Sequence, residues 1–237
     1  MRKRAAVLGS PIAHSLSPTL HNAAYLILGI EAKYDAVEVG SGQLAGFMEQ
    51  VRNTDANWIG FSLTMPLKEE IFSVADIVDP LAEQIRSANT LIPTLDGWLA
   101  TSTDVAGFIW ALASNKVSKF KTVQIIGAGG TARAAAAAVD AIGREITVIN
   151  RNPEREAAMR RAVTQSELKF QTWDGVQLDA DLVINTTPKG VADSFPAGAG
   201  TLFESLYDPW PTKLAESWQG QVIDGLDLLI HQAIDQI

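Results

Sequence analysis

The chain has 237 residues, 47 % of them apolar, and a formal net charge of −8 from 19 basic and 27 acidic side chains. That balance, with no long basic run, argues against nucleic acid or an anionic membrane surface as partner, while leaving room for a basic pocket around a small anion. The absence of cysteine excludes disulfides and thiolate-bound metals, and no stretch approaches the ~18 apolar residues of a membrane span. The opening MRKRAAVLGSP is basic and then apolar, as a signal peptide is, but Gly9-Ser10-Pro11 breaks the run too early. A soluble cytoplasmic chain of one large or two small domains is expected.

Short β-branched runs alternate with helical patterns throughout. RAAVLG (4–9) predicts a strand, and PTLHNAAYLILG (18–29) a helix closed by Gly29. AKYDAVEV (32–39) and NWIGFSLT (57–64) are strands, with a helix in SGQLAGFMEQVR (41–52) between them. Helices follow in PLKEEIFSVA (66–75) and PLAEQIRS (80–87). Asp96-Gly97, between two extended runs, predicts a β-hairpin. The helix DVAGFIWALAS begins at Asp104. Further on, KTVQII, a glycine turn, TARAAAAAV and EITVIN form a βαβ unit, with Ala134–Ala138 giving a smooth helix face for close packing. Later strands are LKFQTW, ADLVINT, ESLYD and GQVID, and LDLLIHQAIDQI ends the chain as a helix. Alternating strands and helices imply an α/β fold with parallel sheets. The expected division is a first α/β domain over 1–103 with 226–237, and a nucleotide-binding domain over 104–225.

IIGAGGTA places Gly127, Gly129 and Ala132 in the G-x-G-x-x-A pattern, after a strand and opening a helix. Gly127 permits the tight turn and Gly129 lets backbone amides approach a pyrophosphate. Ala132 lets helix and strand pack closely, and the helix N-terminus favours negative charge. Ala128, Gly130 and Thr131 complete the turn. NAD sites usually end the next strand with an acid that binds the ribose. Here Asn150, Arg151 and Asn152 stand in its place, with Arg155 one turn further on. Arg151 can hold a 2′-phosphate through paired, charge-assisted hydrogen bonds, so the cofactor reads as NADP(H).

The stretch HSLSPTLHN raises a second question. Ser17 reads as an N-cap, with Pro18 favoured at the first helical position. Capping does not account for Ser15. The first turn lacks Asp or Glu, so two hydroxyls beside an open helix N-terminus suit either capping or an anion such as a substrate carboxylate. His14, His21 and His231 show no metal-site spacing and read as packing or solvated side chains.

GSPIAHSLSPTLHN, GFSLTMPLKEE, SANTL, TSTDVAGF, GAGGTAR and NRNPER occur in that order. Together they resemble the shikimate dehydrogenase family over nearly the whole chain. The resemblance implies a substrate domain plus a Rossmann NADP-binding domain with an active-site cleft between them. It implies the reversible NADPH-dependent reduction of 3-dehydroshikimate to shikimate, on the route to chorismate and aromatic amino acids. By the same resemblance Lys68 and Asp104 are the catalytic pair. Ser15 and Ser17 bind the substrate carboxylate, with Tyr207 near it, and Thr64, Asn89 and Gln232 bind the rest of the ring. Thr187 and Pro188 pass near the nicotinamide. Which group moves the proton stays open. No metal is expected, and the chain would be a monomer or homodimer.

Two departures stand out. Ser102 occupies a position where the family usually has Asn, and Ser62 one where many relatives do. Serine offers fewer hydrogen-bonding arms. The chain also ends soon after Gln232, where relatives continue into a longer helical tail. The competing readings are a quinate- or aminoshikimate-type dehydrogenase, which would often favour NAD, and a non-catalytic dinucleotide-binding sensor.

Overall fold

The computed structural model describes residues 3–54 and 57–237. They form two compact units. One runs to Thr103 and takes back Ala233–Ile237, and the other is Asp104–Gln232.

In the first unit the elements are β1 (Lys3–Gly9), α1 (Ser17–Leu28), β2 (Ala32–Glu38), α2 (Leu44–Arg52), β3 (Trp58–Leu63), β4 (Ile77–Val78), α3 (Pro80–Ile85), β5 (Thr90–Thr94) and β6 (Gly97–Thr101). The sheet order is β2-β1-β3-β5-β6-β4. Alternate side chains of β1 serve opposite faces, as strand geometry requires. Ala6 and Leu8 pack with Leu44, Met48, Phe61 and Ile71, while Ala5 and Val7 join Ile12, Tyr25 and Tyr34. The sheet is mixed rather than parallel: β3 pairs antiparallel with β5, and the Asp96-Gly97 turn sends β6 back antiparallel to β5.

The helix expected over 66–75 is largely absent. Only Glu70–Ser73 is helical, as a 3₁₀ turn, and Lys68 sits on the turn before it. Leu67, Ile71 and Val74 bury at helical spacing, as the apolar pattern predicts. The backbone bonds go elsewhere. The Leu67 amide closes a tight turn onto the Thr64 carbonyl at 2.8 Å, and the Lys68 carbonyl accepts from the Ala88 amide at 3.0 Å. That tertiary bond takes an acceptor which an α-helix would have used.

The second unit comprises α4 (Asp104–Ser114), β7 (Thr122–Ile126), α5 (Gly130–Val139), β8 (Glu145–Ile149), α6 (Glu156–Ala162), β9 (Glu167–Gln171), β10 (Leu182–Asn185), β11 (Thr201–Glu204), α7 (Lys213–Ser217), β12 (Val222–Ile223) and α8 (Gly225–Ile234). Its sheet is parallel throughout, in the order β12-β11-β10-β7-β8-β9. Strand order reverses between β7 and β10, where open α/β sheets place ligands. Ala132 and Ala134–Ala136 on α5 are fully buried, which fits the smooth helix face.

Helices α6 and α7 and strand β4 had no counterpart in the sequence reading, and β11 lies earlier than ESLYD. The ladder continues through the Ser205 amide onto Asn185, but the next amide, Leu206, turns back onto the Glu204 side chain. The strand therefore ends where the expected one began.

Most of α8 belongs to the second unit. A Cβ at Gly107 of α4 would lie 2.9 Å from the Gln232 Cβ, so only glycine allows the two helices to approach this closely. Asn115 Nδ2 donates to Asp227 at 2.9 Å, and Ser114 Oγ lies 3.1 Å from His231 Nε2. The chain rejoins the first unit at Ala233 rather than at Leu226, because these contacts hold the earlier turns of α8 to α4. Among the described residues no helix is long and apolar enough to cross a membrane.

Candidate functional site

In the second unit the site is built from backbone. The chain leaves β7 and turns at Gly127, whose φ of 108° is open to glycine and strained for other residues. A Cβ there would also stand 2.7 Å from Thr186 Oγ1. Gly129 precedes the first residue of α5, Gly130, and makes no side-chain cap; a Cβ on Gly129 would meet nothing within 4 Å. The first turn of α5 carries no acidic side chain. Open space thus faces amides with no internal carboxylate, which is the environment a pyrophosphate requires. Ala128 and Ala132 are buried beneath the turn and Thr131 is half-buried at its rim.

At the end of β8, Asn150 Oδ1 accepts from the Asn152 amide at 3.1 Å, and Asn150 Nδ2 donates to the Asn152 carbonyl. Asn152 Oδ1 in turn caps the Glu154 amide at 3.0 Å. Both asparagines therefore shape the turn between them. Arg151 on that turn is exposed, with its guanidinium 5.0 Å from the centre of the Trp173 ring. Arg155 is exposed on the following 3₁₀ turn.

At the end of β10, buried Asn185 holds the loop that carries Thr187 and Pro188. Its Oδ1 accepts from the Thr187 amide at 3.1 Å and the Thr187 hydroxyl at 2.7 Å. Its Nδ2 donates to both oxygens of Glu204, at 3.0 and 2.9 Å. Glu204 is fully buried. Burial pushes its carboxyl above the ordinary value, against the opposing bonds from Asn185, Thr212 and the Leu206 amide; nearby Asp193 adds to the rise. Thr187 is buried, Pro188 exposed and Tyr207 half-buried.

In the first unit the site is built from side chains at the ends of β1, β3 and β5. The cap expected at Ser17 is not there. Leu16 already has helical backbone angles and makes no side-chain cap, so Ser17 is the first helical residue rather than the cap. It is Ser15 whose hydroxyl accepts from the Ser17 amide, at 3.3 Å. Ser17 is buried and Ser15 half-buried. The loop before them is pinned by Glu38, which accepts from Ser10 Oγ at 2.6 Å and the Ile12 amide at 3.2 Å.

Thr64 donates its amide to the Leu8 carbonyl at 2.9 Å, and the Asn89 carbonyl accepts from the Leu63 amide at 2.7 Å. With the Lys68–Ala88 bond, these tie Thr64, Lys68 and Asn89 into one corner. Lys68 is half-buried and Asn89 is buried. Asn89 Oδ1 accepts from the Thr103 amide at 2.8 Å and from Thr90 Oγ1 at 3.0 Å, and its Nδ2 donates to Thr103 Oγ1 at 2.9 Å. Gln236 enters the same network: it accepts from Ser62 Oγ at 2.8 Å and donates to Thr90 Oγ1 at 2.7 Å. Ser62 accepts from the buried Tyr34 hydroxyl at 2.6 Å. Behind Tyr34, His21 stacks at 4.0 Å between ring centres, and its Nδ1 lies 2.9 Å from the Ser17 carbonyl. Burial lowers the His21 pKa, partly offset by the Ser17 carbonyl and the Gln236 side chain.

Asp104 opens α4 and is 3 % exposed, and the neighbouring Ser102 hydroxyl is buried with no hydrogen-bond partner among the described residues. Lys68, Ser15, Ser17, Thr64 and Asn89 belong to the first unit, whereas Asp104, Tyr207 and Gln232 belong to the second. Sequence reasoning missed Glu38, Gln236 and Glu204. For Glu204 a signal existed: a carboxylate closes the apolar strand TLFE.

A glycine turn beside the strand-order reversal of a parallel six-stranded sheet defines a Rossmann dinucleotide-binding unit. Residues 7–91 match the model of the shikimate dehydrogenase substrate binding domain, and 111–190 match that of shikimate / quinate 5-dehydrogenase. A shikimate dehydrogenase (NADP(+)) from Pyrobaculum islandicum is 37 % identical, with 96 % of this chain and 88 % of the relative covered. The crystal structure of Mycobacterium tuberculosis shikimate dehydrogenase superposes with a TM-score of 0.84 at 37 % identity, covering 99 % of this chain and 91 % of that one. Shikimate 5-dehydrogenase from Thermus thermophilus, solved in complex with NADP(H) and shikimate, gives 0.82 at 32 % identity, over 97 % and 89 % of the two chains. The chain belongs to the shikimate dehydrogenase family.

Proposed function

We propose that this protein interconverts 3-dehydroshikimate and shikimate with NADP(H), in the pathway to chorismate and aromatic amino acids. The observation that supports it best is the joint presence of a phosphate-ready glycine turn without an acid after β8 and a hydroxyl- and amide-lined corner around Lys68. The turn from Gly127 to Ala132 would hold the pyrophosphate, and Arg151, with Arg155, Asn150 and Asn152 around it, the 2′-phosphate. Bound there, the cofactor supplies or accepts the hydride.

Reduction of a ketone builds negative charge on its oxygen, which must then receive a proton. Lys68, as an ammonium, balances that charge. Asp104 orients a substrate hydroxyl, and Asn89, Thr64 and Gln232 fix the ring. Ser15, Ser17 and Tyr207 take the carboxylate, so that the ring presents one carbon for reaction. The role fits a cytoplasmic enzyme, monomeric or homodimeric, with no nucleic-acid partner.

The test is to follow reduced nicotinamide by absorbance with shikimate or quinate and NADP⁺ or NAD⁺. Turnover of shikimate with NADP⁺ is expected. A preference for quinate with NAD⁺ would replace this reading with its relative, and cofactor binding without turnover would leave a sensor. Lys68→Ala should abolish turnover while shikimate still binds; wild-type rates from it would remove Lys68 from the mechanism.

A further inference from the structure

We infer that Glu204 is a positioning residue for the nicotinamide end of the cofactor, acting through Asn185 on Thr187; this rests on the NADP reading above. The inference comes from a single buried chain of bonds. A carboxylate accepts and an amide does both, so the partner of Asn185 decides which way its amide faces. Glu204 offers both oxygens to Asn185 Nδ2, at 3.0 and 2.9 Å. The amide oxygen is thereby turned toward the loop, where the Thr187 amide and hydroxyl both donate to it. Reversed, the amide would set two N–H groups against two donors.

The far side of the carboxylate is equally fixed. Thr212 Oγ1 donates to it at 2.9 Å while capping α7, and the Leu206 amide donates at 3.2 Å. Glu204 thus receives donors from three segments and is itself the end of β11. Among the described residues no lysine or arginine pairs with it. A fully buried carboxylate without a cation is costly unless its bonds do something that a neutral side chain could not. Here, being unable to donate, it removes the alternative orientation of Asn185. Because Thr187 spends both its amide and its hydroxyl proton on Asn185, the residue offers a ligand only acceptors at that point.

The test compares two probes on Glu204→Gln. NADP⁺ reaches the nicotinamide end, whereas adenosine 2′,5′-bisphosphate stops at the adenine end. Glutamine keeps the shape but restores a donor, so NADP⁺ affinity and kcat should fall about ten-fold or more, as for a lost bond to a charged group. Affinity for the bisphosphate and KM for shikimate should stay within about two-fold, and Glu204→Asp should recover part of the loss. Wild-type behaviour of Glu204→Gln toward NADP⁺, or equal weakening of both probes, would overturn the inference. Should that variant fail to fold, Thr187→Val cuts the same chain at its other end and must show the same selective loss; unchanged NADP⁺ binding there also overturns it. A wild-type chain that binds neither probe would sink the NADP reading itself, and this inference with it.

Discussion

Each unit contains a buried asparagine clasping a threonine, and the two clasps are built differently. In the first unit Asn89 Oδ1 accepts the amide and the hydroxyl of Thr103, at 2.8 and 3.3 Å. In the second, Asn185 Oδ1 does the same with Thr187, at 3.1 and 2.7 Å. The first clasp joins positions far apart in sequence, and its other partners include the hydroxyl of Thr90 and, through it, Gln236. The second joins positions two apart, and its other partner is a buried carboxylate. Neutral hydroxyls can turn to suit a neighbour, whereas a carboxylate permits only acceptance. The second arrangement holds its loop in one shape.

The comparison can be broken most forcefully at Glu204. Glu204→Leu strands the Asn185 amide, the Thr212 hydroxyl and the Leu206 amide, and should cost about 3 kcal/mol in chemical denaturation. A change under about 1 kcal/mol would mean that the second clasp needs no anchor. Next comes Asn89→Ala, which leaves the Thr103 amide without its acceptor. About 2 kcal/mol of stability should be lost, together with calorimetric shikimate binding. Gln236→Ala removes bonds to the adaptable hydroxyls of Ser62, Thr90 and Thr103, and about 1 kcal/mol or less is expected. If it cost more than Asn89→Ala, the first network would be organised around Gln236 instead.

The smallest effect concerns pH, and its sign differs between the units. His21 is held below its ordinary value, so the unfolded chain binds the proton more readily. Stability is complete above about 6.5 and declines as pH falls through that value toward the folded one. Glu204 is held above its ordinary value, so the folded chain keeps the proton longer. Its contribution is complete below about 4.5 and is lost as pH rises from there through the folded value. Melting curves across pH should show His21→Phe flattening the first trend and Glu204→Gln the second. Identical slopes in wild type and both variants would remove either group as a source of pH dependence.

What could be read from the sequence follows the same division. The glycine turn, α5 and the missing acid after β8 were legible because backbone geometry dictates residue type over a short window. The corner around Asn89 was legible only as a family resemblance, since Ser62, Thr90 and Gln236 meet through folding alone. The Ser17 cap was misplaced because a serine before a proline looks like a boundary, whereas the backbone of Leu16 is already helical. The lost helix at 66–75 has a similar cause: its apolar spacing is correct, but the bond from Ala88 to the Lys68 carbonyl comes from a distant segment.

The displaced cap at the start of α1 has one more consequence. Ser15 accepts a hydrogen bond from the Ser17 amide with one lone pair and keeps its own hydroxyl hydrogen free to donate. An anion accepting that hydrogen would polarise the hydroxyl and strengthen its grip on the amide, because bonds in a chain reinforce one another. Were an anion bound there, filling the site and tightening the first turn of the helix would be a single event, and the order of that turn would report on occupancy.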